Sequence, residues 1–75
     1  ADDELDASAL RVRLAGALAD LSPEDREVLV LRDLEERSAQ ETASVLGLTL
    51  QATKSRLHRA RLRLAATLRG ADHGP

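Results

Sequence analysis

The sequence contains no cysteine and no aromatic residue, and each absence narrows the kinds of protein it can be. Without cysteine, neither a disulfide framework nor a thiolate zinc site can stabilise the chain, which fits a reducing compartment. Without Phe, Tyr and Trp, the core has to be built from Leu, Val and Ala. Leu and Ala are among the strongest helix formers. A chain of 75 residues is one small domain at most. The composition therefore predicts an all-α fold.

Long apolar runs are also absent, since no run approaches the roughly 20 residues that a membrane span requires. The N-terminus carries Asp2, Asp3, Glu4 and Asp6, whereas a signal peptide begins with basic residues. We therefore expect no signal peptide, no membrane contact and a cytoplasmic location.

Arrangements that support catalysis are missing as well. The carboxylates are spread over predicted helix surfaces and caps, and there is no glycine-rich phosphate loop or nucleophile elbow. The two histidines, His58 and His73, do not form a His-Glu pair at helical spacing. The sequence thus predicts no enzyme, no catalytic residue, no metal and no cofactor, and His58 is interpreted as a surface group.

Acidic residues are absent from residues 42–71, although the whole chain has a net charge of −2. Residues 1–41 hold twelve acidic and five basic residues, a net charge of −7, whereas residues 42–71 hold six basic residues. Such asymmetry favours a polyanionic partner for the second half. A solvated basic face or a helix on a membrane surface would give the same charge pattern.

Four helices are predicted from apolar spacing and from helix-start residues. The first covers about residues 8–20, with one apolar face. The second begins with Ser22 as N-cap and Pro23 in the first turn, and ends near Leu34. The predicted apolar face of the first helix consists of Leu10, Leu14, Ala17, Leu18 and Leu21, and the predicted buried side of the second consists of Val28, Leu29, Leu31 and Leu34.

The third and fourth predicted helices form a helix-turn-helix. Ser38 and Glu41 have the Ser-x-x-Glu spacing of a capping box, and Gly47 ends this short helix. Thr49 can cap the long helix that follows, over about residues 50–68. A short helix, a glycine-containing turn and a long basic helix are typical of helix-turn-helix units. We expect residues 1–7 to be a flexible acidic linker, residues 8–69 the DNA-binding domain and residues 70–75 a disordered tail.

The fourth helix has a polar face opposite an apolar stripe. Arginine, lysine, glutamine and serine near the start of a recognition helix are the types that contact bases and phosphates. Arg59 is predicted to contact guanine, and Arg61 and Arg63 to contact phosphates. The alternative, a solvated face with cations complementing the helix C-terminus, explains Arg69 but not cations in the first half. The stripe is Leu50, Thr53, Leu57, Ala60, Leu64 and Leu68; the predicted DNA-binding residues are Gln51, Ala52, Lys54, Ser55, Arg56, His58, Arg59, Arg61 and Arg63.

Four segments resemble region 4 of bacterial sigma factors, most closely the extracytoplasmic-function group. They are Leu-Ser-Pro-Glu-Asp-Arg-Glu-Val-Leu at residues 21–29, Asp-Arg-Glu-Val-Leu-Val-Leu-Arg-Asp at 25–33, Glu-Thr-Ala-Ser-Val-Leu-Gly at 41–47 and Lys-Ser-Arg-Leu-His-Arg-Ala-Arg at 54–61. The resemblance covers about residues 21–68. Thr53 departs from the family, which usually has an apolar residue there, and so do Arg37 and Ala39.

The resemblance implies that the last helix recognises the −35 element of promoter DNA and that the domain docks on the flap of the RNA polymerase β subunit. It also implies that an anti-sigma factor binds the domain. By position, the resemblance assigns DNA contacts to Lys54, Ser55, His58 and Arg59, with Arg56 on the DNA backbone.

The sequence leaves two other functions open. One is a protein-interaction module in which Leu62, an apolar residue among arginines, contacts an anti-sigma factor or polymerase. The other is the output domain of a two-component response regulator, which usually has Lys-x-His where this chain has Lys54, Ser55 and Arg56.

Overall fold

The structure, a computed structural model, describes residues 2–73, with side chains described for residues 7–70. It contains four α-helices: α1 (Asp2–Ala19), α2 (Pro23–Leu29), α3 (Ala39–Leu46) and α4 (Leu50–His73). A π-helical turn (Val30–Leu34) continues α2. Residues 2–73 contain no β-strand, so the predicted all-α, four-helix fold is confirmed.

Three helices begin at the caps that the sequence predicts. The Ser22 hydroxyl accepts a hydrogen bond from the backbone N–H three residues later at 3.2 Å, and Pro23 follows in the first turn. Ser38 and Glu41 form the capping box, because each side chain accepts a bond from the other residue's N–H, at 3.0 and 2.9 Å. Thr49 accepts from the N–H of residue 52 at 3.0 Å. These caps satisfy N–H groups that have no partner within their own helix.

Two helix ends differ from the predicted bounds. Helix α1 begins at Asp2, within the segment predicted to be a linker, and α4 continues to His73, within the predicted tail. Acidic residues favour the positive N-terminal end of a helix, so the acidic start of the chain is compatible with helix. Residues 74 and 75 of the predicted tail lie outside the described residues.

The π turn changes the direction in which the end of α2 faces. The N–H of Glu35 bonds to the carbonyl of Val30 at 2.8 Å, a spacing of five residues where an α-helix has four. Because this wider turn shifts the rotation of later residues, Leu34 points outward and is 57% exposed. The prediction that Leu34 belongs to the buried side is therefore wrong. The next residue but one, Glu36, takes a left-handed conformation with φ 57° before α3 begins.

Helix α4 packs against each of the other three helices, so the core lies along its inner side. Thr53, Leu57 and Ala60 are buried there, Leu64 and Leu68 are partly buried, and Leu50 is 39% exposed. Leu10 shares the predicted apolar face of α1 by helical spacing but is 57% exposed. Among residues 7–19 of α1, the buried residue is Ala17, so α1 meets the core near its C-terminal end. The main core cluster is Leu21, Val28, Leu29, Leu57 and Ala60, with Leu18, Leu46 and Leu64 at its edge.

Two buried threonines satisfy their hydroxyl groups within their own helices. Thr42 donates to the carbonyl of Ser38 at 2.8 Å, and Thr53 donates to the carbonyl of Thr49 at 2.9 Å. Each carbonyl lies four residues earlier, at the N-cap. A buried hydroxyl without a partner would cost free energy, and this local bond removes that cost. Thr53 can therefore take the place of an apolar residue on the buried side of α4.

Gly47 ends α3 as predicted and makes the turn into α4. Its φ of 68° lies in the left-handed region, where a side chain is strained and glycine is not. The N–H of Leu48 bonds back to the carbonyl of Ala43 at 2.9 Å, which closes the end of α3. The predicted helix-turn-helix is thus present, with α3 and α4 in direct contact. None of the helices described is long and apolar enough to cross a membrane.

Candidate nucleic-acid interface

The outer side of α4 presents most of the residues that the sequence predicts to contact DNA. Because the buried residues Thr53, Leu57 and Ala60 mark its inner side, helical spacing of 100° per residue places Gln51, Ser55 and Leu62 opposite them. The predicted residues Gln51, Ala52, Lys54, His58 and Arg59 are exposed, and Ser55 and Arg56 are partly buried. The helix that follows the Gly47 turn therefore carries a polar, accessible face.

Leu62 lies on this same face and is 57% exposed. It follows Ser55 by two helical turns and Arg59 by three residues, so it lies on the same side of α4, nearer the C-terminal half of the helix. An exposed leucine among arginines is available to a partner surface.

Arg61 and Arg63 are placed differently, because each pairs with a carboxylate from another part of the fold. Arg61 donates from Nε to Asp33 Oδ2 at 2.9 Å and from Nη2 to Asp33 Oδ1 at 2.5 Å. Arg63 donates from Nη1 to Asp25 Oδ2 at 2.5 Å. Both arginines were predicted to contact phosphates, and that role stays a prediction. The structure brings each of them to an acidic partner that precedes the helix-turn-helix in sequence.

The Asp33–Arg61 pair changes the acid–base properties of both groups. The hydrogen bonds from Arg61 hold the pKa of Asp33 below its ordinary value, although partial burial opposes this effect. The same hydrogen bonds raise the pKa of Arg61. In the capping box, the backbone and side-chain hydrogen bonds with Ser38 lower the pKa of Glu41. Asp33 and Glu41 are therefore held in their charged forms.

The remaining cations near the turn have no acidic partner among residues 7–70. Lys54, Arg56 and Arg59 form no ion pair there, because the described ion pairs of α4 belong to Arg61 and Arg63. Residues 42–71 contain no carboxylate that could neutralise them. Cations in the first half of a helix interact unfavourably with its dipole. The clustering of these cations in the turns of α4 that follow Gly47 therefore favours an anionic partner. This arrangement can bind the phosphate backbone and present side chains to base edges.

A second surface feature lies between α2 and α3 and does not involve α4. An open groove of about 320 Å³ is lined by Arg26, Glu27, Val30, Leu31 and Val45. Val45 is 60% exposed and Leu34, at the end of the π turn, is 57% exposed. The groove is therefore lined by three apolar side chains together with one residue of each charge sign.

Sequence reasoning missed the partners of the two arginines and missed the groove. Asp33 and Arg61 are 28 residues apart, and Asp25 and Arg63 are 38 apart. Periodicity within one helix gives no information about contacts between helices. The groove gave no signal either, because it depends on the π turn. Among the described residues, no group of three or more His, Cys, Asp and Glu could hold a metal ion.

Comparison with known proteins gives the family of this arrangement. The family profile described as Sigma-70, region 4 matches residues 11–64, which span the end of α1, all of α2 and α3, and most of α4. The chain belongs to the sigma-70 region 4 family. The family match favours a sigma-factor domain over the response-regulator alternative.

Curated relatives of this region 4 domain are sigma factors. The RNA polymerase sigma-E factors of Streptomyces avermitilis and Streptomyces coelicolor are each 42% identical over 71 residues, which is 95% of this chain and 40% of each relative. The RNA polymerase sigma factor CnrH of Cupriavidus metallidurans is 43% identical over 56 residues, 75% of this chain and 29% of that protein. The chain thus spans about two fifths of the length of the sigma-E factors it matches.

Proposed function

We propose that this region 4 domain recognises the −35 element of bacterial promoters through α4 during transcription initiation. The observation that carries the proposal is the basic, accessible face of α4, which begins immediately after the Gly47 turn in sequence. Membership of the sigma-70 region 4 family and the names of the curated relatives support it. The domain positions DNA and performs no chemistry itself, and it acts in the cytoplasm, where the polymerase is.

Within this function, Arg59 reads a base and its neighbours position the DNA backbone. Arg59 is exposed and has no acidic partner among the described residues, so its guanidinium is available for a bidentate contact to guanine. Ser55 and His58 lie beside it on the same face. Lys54 and Arg56 lie on the two flanks, where cations meet phosphates.

Selection from a random duplex DNA library tests the proposal directly. The 75-residue chain is compared with Arg59→Ala and with Arg69→Ala, which removes the same charge far from the turn. We expect the unchanged chain and Arg69→Ala to enrich one motif that Arg59→Ala loses. Enrichment of the same motif by all three chains would remove Arg59 from base recognition. Salt-sensitive binding without any enriched motif would contradict recognition of DNA sequence by the domain alone.

We further propose that the groove between α2 and α3 receives the flap of the RNA polymerase β subunit. Its apolar residues Val30, Leu31 and Val45 fit the apolar side of a partner helix, and Arg26 and Glu27 add charge of both signs to the lining. Because no residue of α4 lines the groove, polymerase and DNA can be bound together.

Leu62 supports a second protein contact, with an anti-sigma factor or polymerase, on the DNA-facing side of α4. The two surfaces are separated by comparing Val45→Asp with Leu62→Asp, since both leave the core unchanged. In a binding assay with the isolated β flap, we expect Val45→Asp to lose binding and Leu62→Asp to retain it. The reverse result would move the polymerase contact from the groove to α4. Full binding of Leu62→Asp to every protein partner would contradict its role as an anchor.

A further inference from the structure

The Asp33–Arg61 pair has the geometry with which arginine binds a phosphate. Two parallel bonds join the guanidinium to the two carboxylate oxygens, at 2.9 and 2.5 Å. Arginine forms the same two-pronged arrangement with carboxylate and with phosphate groups. The carboxylate comes from the π turn, whereas α4 up to residue 71 supplies no acidic residue of its own.

Arg61 lies where the DNA backbone is expected to pass. It follows Lys54 by seven residues, or two helical turns, and therefore lies on the same flank of α4. In docked recognition helices, cations that flank the base-reading face contact phosphates. The side chain of Arg61 is 50% exposed and that of Asp33 is 36% exposed, so solvent and a phosphate can both reach the pair.

The Asp25–Arg63 pair provides an internal comparison. The Asp25 side chain is only 8% exposed, so it would stay buried without a partner if Arg63 moved away. Asp33 can be hydrated when Arg61 leaves. An ion pair between exposed groups is worth about 1 kcal/mol or less, a difference of about fivefold in an equilibrium constant. Arg61 can thus be exchanged between two anions, whereas Arg63 is held in place.

We propose that Asp33 competes with DNA phosphate for Arg61 and thereby limits how tightly the domain holds the DNA backbone. Asp33 acts as an internal substitute for phosphate that occupies Arg61 in the free domain. The effect is on binding strength for any sequence, since phosphate contacts carry no sequence information. The inference rests on the proposed function, because it assumes that α4 faces DNA.

A double-mutant cycle tests the competition. Binding to a duplex of random sequence is measured over a series of salt concentrations for the unchanged 75-residue chain, Asp33→Asn, Arg61→Gln and the double variant. Glu35→Gln is the matched control. It also removes one negative charge, two residues after Asp33, but from a carboxylate that pairs with Arg37 and not with Arg61. Thermal unfolding of each chain verifies that it is folded at the assay temperature.

We expect Asp33→Asn to lower the Kd by up to about fivefold, more than Glu35→Gln does, and we expect Arg61→Gln to abolish this gain. A gain equal to that of Glu35→Gln, or one that persists with Arg61→Gln, would overturn the inference, because net charge alone would then explain it. If the unchanged chain does not bind at the lowest salt, binding by Asp33→Asn supports the inference and its absence overturns it.

Failure of the proposed function gives a different result. In that case the unchanged chain selects no DNA motif, alone or with polymerase, whatever the outcome at Asp33. If the unchanged chain selects a motif but the double-mutant cycle shows no coupling between Asp33 and Arg61, the proposed function stands and the competition between Asp33 and phosphate is wrong. Lower thermal stability of Asp33→Asn with unchanged DNA binding would assign the pair a purely structural role.

Discussion

Six of the eleven basic residues lie on α4, yet their surroundings differ. Arg59 is exposed and has no acidic partner among the described residues. Arg61 is paired with the partly exposed carboxylate of Asp33, and Arg63 is paired with the buried carboxylate of Asp25. Equal charges on one helix therefore have three different roles. Only the contacts between helices distinguish them.

Arg59→Ala is expected to weaken binding to the preferred DNA site by about 1–3 kcal/mol and to relax the base preference at one position. The physical reason is the loss of a bidentate contact to a base edge. Titration of the preferred and a random duplex by fluorescence anisotropy measures both effects. Arg69→Ala is the control, and an equal loss on both duplexes would assign Arg59 to the backbone instead.

Arg63→Ala is expected to destabilise the fold by about 1–3 kcal/mol, because Asp25 would keep a buried carboxylate without its partner. Arg61→Ala breaks a pair between exposed groups and is expected to cost about 1 kcal/mol or less. Urea unfolding of the two variants gives the comparison. A larger loss for Arg61→Ala would show that the burial of Asp25 does not decide the strength of its pair.

At the scale of single elements, the helix ends fixed by local hydrogen bonds could be predicted from the sequence, whereas the start of α1 and the end of α4 could not. Ser22, Ser38 and Thr49 cap as predicted, because a cap is a local hydrogen bond within a few residues. The prediction that Leu34 is buried is wrong, because it uses α-helical spacing through a segment that forms a π turn. No pattern in the local sequence predicts that turn. Leu10 lies on the predicted apolar face but is exposed, because α1 extends beyond the part that packs against the core.

The same substitution is predicted to have opposite effects at two glycines, Gly47 in the left-handed turn and Gly16 inside α1. Gly47→Ala should cost about 1 kcal/mol, because a Cβ is strained at a φ of 68°. Gly16→Ala, inside α1, should stabilise by about 0.5–1 kcal/mol, since alanine favours helix. A Cβ at either position meets no atom within 4 Å, so packing does not enter the comparison.

Thermal unfolding of the two alanine variants measures these effects. We expect the midpoint temperature to fall for Gly47→Ala and to rise for Gly16→Ala. Equal shifts of the same sign would contradict the assignment of a left-handed conformation to the turn.

For the whole molecule, stability should decrease in acid. Asp33 and Glu41 have lowered pKa values in the folded state, so the unfolded chain binds more protons once the pH falls below their ordinary values. Their contribution is complete above those ordinary values and is lost as the pH falls through the lowered ones. Urea unfolding over a pH series from neutral to strongly acidic conditions measures this loss.

Glu41→Gln is the informative variant for this pH dependence. Glutamine at the third helical position can still accept from the N–H of Ser38, so the capping box is retained without a titrating group. We expect this variant to lose less stability on acidification than the unchanged chain. An identical acid loss in both chains would remove Glu41 from the groups responsible.

The whole-molecule arrangement could be predicted only in outline. Charge segregation and the Gly47 turn predict that the second half of the chain faces an anionic partner, and both can be found in the sequence because they are properties of neighbouring residues. The placement of Asp25 and Asp33 against α4 depends on how α2 and α4 pack. The groove depends on how α2 and its π turn pack beside α3. Such contacts join residues that are far apart in sequence, where helical periodicity carries no information.

The π turn also gives the fold a place where a change in chain length can be absorbed. A π turn holds one residue more than an α-helical turn, so Val30–Leu34 is equivalent to a one-residue insertion in a continuous helix. Deleting one residue there would let α2 continue as a regular α-helix, and the residues beyond the turn would keep their orientation. A deletion inside α3 has no extra residue to remove and would rotate each later residue of that helix by about 100°. A single deletion within Val30–Leu34 should therefore be accommodated more readily than one within α3.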